Sequence, residues 1–128
     1  MTRPDVAKTA QYLSGFLTNP SEQHITTVDK AIAYLYHTRF YAIEYSPVSS
    51  DAPAFILASD ASFADNSDRK SSEGYITKLF NGPIDWQARK QKTITTSTTE
   101  AELLAISTAS KHVLWWKRLF RSIGLNID

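Results

Sequence analysis

The sequence predicts an α/β domain of the α+β kind, with a mixed sheet, a packed amphipathic helix and two helices ahead of them. Three observations carry that expectation. Ser97 to Phe120 keeps one apolar stripe when side chains are placed about 100° apart around a helix axis. Tyr41 to Tyr45 and Phe55 to Ala58 are short apolar runs that end in turn-forming residues. Asn81-Gly82-Pro83 joins Gly74 to Phe80 with Ile84 to Ala88, the pattern of a hairpin.

Taken in order, Val6, Ala10, Leu13 and Leu17 recur at helical spacing behind Pro4, which suits a first helical position. Asn19-Pro20 reads as the cap and first residue of a second helix, with Ile25, Val28, Ile32 and Leu35 on its buried face. His24 and His37 flank that helix without an acidic or second imidazole partner at ligand spacing, so they read as surface or boundary residues. Tyr41 to Tyr45 alternates as a strand should before Ser46-Pro47-Val48-Ser49-Ser50. Phe55-Ile56-Leu57-Ala58 is continuously apolar, which predicts a central strand covered on both faces and ending at Ser59-Asp60. The polar loop Asp65 to Ser71 lacks the glycine and terminal glutamate of a calcium loop.

Composition removes several classes of function. The 128 residues suit one core that needs no disulfide or structural metal, and 14 basic against 13 acidic side chains give no global positive field for nucleic acid. The absence of cysteine excludes thiolate zinc sites and cysteine nucleophiles, and suits a reducing compartment. With no apolar signal core and no run of membrane-spanning length, the reading is intracellular, in cytoplasm or nucleus, with no membrane partner.

Chemistry enters through two acids. The predicted stripe of the last helix is Glu102, Ile106, Ala109, Val113, Trp116 and Phe120, which places Glu102 where an apolar side chain is expected. Glu100 falls about 160° away and completes a capping box with Ser97. In a layered fold Glu102 would meet Asp60 over the end of its strand, and two facing carboxylates call for a divalent cation, of which Mg²⁺ suits hard oxygen donors. Trp86 followed by Arg89, Lys90 and Lys92 is a candidate grip on a phosphate backbone.

Asp60-Ala61-Ser62, Arg69-Lys70-Ser71, Gly74-Tyr75, Pro83-Ile84 with Trp86, Lys90-Gln91-Lys92 and Ser97-Thr98-Thr99-Glu100-Ala101-Glu102 occur in an order that resembles the ribonuclease H region of copia-type retrotransposon polyproteins. Thr2-Arg3-Pro4-Asp5-Val6 and Asn19 to His24 resemble the end of the reverse transcriptase and its connection. The resemblance spans nearly the whole chain and implies a connection remnant over residues 1–50 and the first half of a ribonuclease H-like domain over residues 51–128. It implies Asp60 and Glu102 as catalytic, Mg²⁺-binding residues acting on the RNA of an RNA–DNA hybrid. Phe63 stands where the family commonly has tryptophan, and no residue matches the family's later aspartates before the sequence stops at Asp128. Two alternatives follow. One is a non-catalytic, domesticated fragment that binds a partner or pairs with itself through an exposed strand edge, with Trp115, Trp116 and Phe120 seeking burial. The other is a piece excised from a longer polyprotein.

Overall fold

The computed structural model describes residues 2–49, 52–64, 69–125 and 127, and divides the chain into two compact units, Met1–Ile43 and Glu44–Asp128. In the first, a 3-10 turn at Pro4–Val6 runs into α1 (Ala7–Ser14), and α2 (Glu22–His37) follows. Ser21, not Asn19, caps α2: its backbone N–H donates to His24 Nδ1 at 2.9 Å, and the His24 ring stacks on Phe16 with centroids 3.8 Å apart. The expected buried face of α2 is largely open, since Ile25, Val28 and Ile32 are exposed. Eight residues of α1 are too few to cover the sixteen of α2.

Beside that aromatic stack, the unit is tied together by polar contacts. The Arg3 guanidinium donates to both Asp5 carboxylate oxygens, at 2.7 and 3.0 Å, and to the Thr38 carbonyl at 3.1 Å. Tyr34 donates its hydroxyl to Asp5 at 2.8 Å. The Arg3 hydrogen bonds, with Tyr34 adding to them, hold the Asp5 carboxyl down at about 2.

The second unit is built on β1 (Phe55–Ser62), β2 (Ser72–Leu79) and β3 (Gly82–Lys90), hydrogen-bonded in the order β1-β2-β3. Both pairings are antiparallel, so the sheet is not mixed among the described residues. Short connections explain this, because a parallel neighbour needs a long crossover. Two strand expectations fail with it. β1 is an edge strand whose side chains alternate between half-buried and exposed, because only one of its faces is covered. Tyr41 to Tyr45 forms no strand, and Tyr41 and Tyr45 are exposed. Near it the Ser46 amide donates to the Phe80 carbonyl and the Tyr45 hydroxyl to the Pro83 carbonyl.

The hairpin stands, turned one residue earlier than Asn-Gly suggests. Phe80 and Asn81 are the two central residues, with φ of 48° and 64°, as a type I′ turn requires. Gly82 opens β3, and a Cβ there would collide with the Tyr45 ring. The loop at Asp65 to Asp68 lies outside the described residues.

Helix α3 (Thr98–Ser122) begins where the sequence places it. The Ser97 hydroxyl accepts from the Glu100 amide at 3.1 Å, while Glu100 accepts from the Thr96 amide and hydroxyl, which lower its pKa. The helix lies mainly over β1 and also touches β2, burying Ala101, Ala105, Ala109 and Phe120. Phe120 meets Phe55 edge-on at 5.3 Å.

Beneath its first turns, Gln91 donates to Glu73 at 3.1 Å and to the Ala101 carbonyl at 3.0 Å. Arg89 donates to the other Glu73 oxygen and to the Thr108 hydroxyl. The Glu73 side chain is 8% exposed and the Arg89 side chain 43%, so the arginine connects a buried charge to water.

Two outcomes follow from these polar ties. Because the Asp5 pKa is depressed from its ordinary 3.8, its contribution to helical-unit stability is complete above that value and is lost as pH falls towards 2. Circular dichroism of the helices against pH should show an acid transition in that window that Asp5→Asn removes. Arg89→Ala strands the buried Glu73 charge and should cost roughly 2 kcal/mol in urea unfolding; adding Glu73→Gln should recover more than half of it.

Candidate functional site

Strand alternation decides where Asp60 points. Phe55 packs on Phe120, and Tyr75, which pairs with Ser59 in the register, packs its ring on His112 of α3. Phe55, Leu57, Ser59 and Ala61 therefore share the helix-covered face, and Asp60, out of phase, belongs to the uncovered one. There it lies opposite Gly74, beyond which comes Ala88, so small neighbours leave the carboxylate exposed.

Glu102 is exposed as well, which corrects the inward placement expected from the apolar stripe. The stripe that docks is Ala101, Ala105 and Ala109 with Phe120, rotated by about one residue's 100° at its start. Alanines win this position because they let the helix approach the sheet closely. Thr108 and His112 lie on the flank of α3 that faces β2 and β3, as their contacts with Arg89 and Tyr75 show. Glu102 and Ile106 lie on the opposite flank, over the outer side of β1. Glu102 stands on the helix side of the sheet and Asp60 on the other, so the two acids expected to face each other are not brought together. Among the described residues, no group of three or more His, Cys, Asp or Glu is placed to hold a metal ion.

The basic set divides. Arg89 faces α3 and is bound to Glu73 and Thr108, so it is not free to grip a phosphate. Trp86 pairs with Ile76, and Lys90 with Ser72, which places both on the face that carries Asp60. Lys92 is exposed just past the strand.

One cluster was not legible beforehand. Tyr75 donates its hydroxyl to Asp85 at 3.1 Å and stands 3.2 Å from His112 Nδ1, which is 3.7 Å from Asp85. Burial, followed by the Asp85 charge, pushes the Tyr75 phenol up to about 12, so it stays a proton donor. Only the hairpin register brings Tyr75 near Asp85, and only the helix rotation adds His112. Next to it Glu73, Gln87, Arg89, Ala105 and Thr108 line a small cleft between α3 and the sheet.

Comparison with known proteins gives a consistent family. The chain is 37% identical over 125 residues to a retrovirus-related Pol polyprotein from transposon TNT 1-94 of Nicotiana tabacum, covering 98% of this chain and 9% of that one. A Pol polyprotein from transposon RE1 of Arabidopsis thaliana is 32% identical, over 98% of this chain and 8% of its own length. A secreted RxLR effector protein 161 of Plasmopara viticola is 34% identical over 116 residues, 90% of this chain and 80% of that protein. The chain spans less than a tenth of the transposon polyproteins it matches. No family model matches it. No solved structure matches it either. Along nearly its whole length the chain is homologous to one segment of the retrovirus-related Pol polyproteins of copia-type transposons.

Proposed function

We propose that the chain carries the leading part of a ribonuclease H-like domain, and that Asp60 and Glu102 are two of the carboxylates that bind Mg²⁺ for hydrolysis of RNA in RNA–DNA hybrids. One observation carries the reading: both acids stand in a sequence related over nearly its whole length to transposon Pol polyproteins, while the fold itself leaves Asp60 on the face of the sheet away from α3. The order of the sequence motifs and the relationship to transposon polyproteins support it.

The described residues do not fit a complete magnesium centre. Two carboxylates leave most of the coordination to water, and a pair of metal ions needs more acidic donors than stand together here. Further donors have to come from outside the described residues, so hydrolysis by this chain alone is weak. Trp86 and Lys90, on the face that carries Asp60, and the exposed Lys92 are the candidates for contact with a nucleic-acid backbone. The absence of cysteine suits an intracellular setting, cytoplasmic or nuclear, and no described helix is long and apolar enough to cross a membrane.

The deciding assay incubates the chain with an RNA–DNA hybrid and Mg²⁺. Slow cleavage of the RNA strand that disappears with chelator, and in both Asp60→Asn and Glu102→Gln, is expected. Equal background in all three proteins would end the enzymatic reading and leave a non-catalytic binding module.

A further inference from the structure

Tyr75 of β2, Asp85 of β3 and His112 of α3 bring three atoms that can ligate a metal to one place in the seam between helix and sheet. The Tyr75 oxygen lies 3.1 Å from Asp85 Oδ2 and 3.2 Å from His112 Nδ1, and those two atoms are 3.7 Å apart. The phenol has a single proton and gives it to Asp85, so it has none left for His112 Nδ1.

The dimensions of this triangle are those of a zinc face. Ligands about 2.0 to 2.1 Å from a tetrahedral Zn²⁺ stand roughly 3.3 to 3.4 Å from one another, close to the mean of the three sides here. An ion about 2.1 Å from all three atoms lies about 0.8 Å out of their plane, against roughly 0.7 Å in a regular tetrahedron. From this geometry we infer that Tyr75, Asp85 and His112 form a zinc site with three protein donors and water in the fourth position. Imidazole nitrogen suits Zn²⁺, whereas Mg²⁺ prefers oxygen alone. The third donor is a tyrosine, in keeping with the lack of any group of three His, Cys, Asp or Glu among the described residues.

The ion takes the place of the phenol proton, which leaves to solvent. Bound Zn²⁺ lowers the pKa of water from about 15.7 to about 7, and the same pull acts on a phenol that starts at about 12. Asp85 and the phenolate then balance the two charges of the ion. Entry is open, since the His112 and Asp85 side chains are 34% and 32% exposed.

Two further polar atoms stand beside the cluster without a partner. Thr77 follows Tyr75 on the same face of β2 and pairs with Asp85, and Trp116 comes about one turn of α3 after His112. The Thr77 hydroxyl and the Trp116 indole N–H are buried and make no hydrogen bond, which is rare for buried polar groups. Water held by the ion is the kind of partner they lack. With one ligand from each of three elements, zinc pins α3 to the β2-β3 hairpin, and its binding adds to the stability of this unit.

Calorimetric titration of the whole chain with ZnCl₂, without nucleic acid, tests the site and leaves the cleavage reading aside. About one Zn²⁺ per chain is expected to bind at micromolar concentration, with a tyrosinate difference absorption and a raised Tm that EDTA reverses; Mg²⁺ should produce none of these. His112→Gln and Asp85→Asn should each weaken binding by about a hundredfold, and Tyr75→Phe by about tenfold with loss of the difference absorption, while far-UV circular dichroism without zinc stays unaltered. His24→Gln combined with His37→Gln removes the other two histidines and should leave binding unchanged. That variant and the tyrosinate signal decide the matter on chains whose three ligands are intact. No binding up to about 100 μM, binding without the tyrosinate signal, binding that survives His112→Gln, or binding lost with His24 and His37 would each overturn the inference.

Discussion

The close seating of three alanines, Ala101, Ala105 and Ala109, against the sheet is the contact from which the second unit takes its geometry. Small side chains let α3 settle over β1 and β2, and the same rotation brings Phe120 to Phe55, His112 to Tyr75 and Thr108 to Arg89. It also fixes what is left out. Glu102 and Ile106 are carried to the exposed side of the helix, so the acid expected inside the fold faces solvent.

The interior under this helix is unusually polar for its size. Among the described residues of this unit, Ser71, Glu73, Thr77, Gln91 and Thr95 are buried beside a core whose buried apolar members are the three alanines and Phe120. Ser71 and Thr95 join their hydroxyls at 2.9 Å, and Glu73 is satisfied by Arg89 and Gln91. Such a core offers modest hydrophobic stabilisation and depends on each hydrogen bond being made. Its position is also directional: Gln91, Glu73 and the Ala101 carbonyl anchor the start of α3, which orients the helix antiparallel to β1.

Legibility in the sequence followed the range of the interaction. The start of α3 was readable because Ser97 and Glu100 act within one turn, and the hairpin because Asn81 favours a left-handed backbone. Faces and neighbours were not. Phe55-Ile56-Leu57-Ala58 is apolar enough for a central strand, yet only one side of it is covered, and α2 keeps its apolar face although α1 is too short to hide it. Glu102 was singled out from a stripe that ran through larger apolar residues. The helix docks instead through its smallest ones, a preference set by the sheet and invisible on a helical wheel. Arg89 read as part of a basic run because its partner, Glu73, lies across a strand pair that only the register aligns.

The exposure of Glu102 on α3 is the structural fact from which any role for this acid starts. That rests on the rotation of the helix, and the lack of any native cysteine makes the rotation directly measurable. With single cysteines at Glu102→Cys and Ala105→Cys in the folded chain at submicromolar concentration, thiol labelling should proceed at nearly the unfolded rate for the first and be strongly protected for the second. Protection at position 102 with rapid labelling at 105 would show the acid facing the sheet and contradict the account.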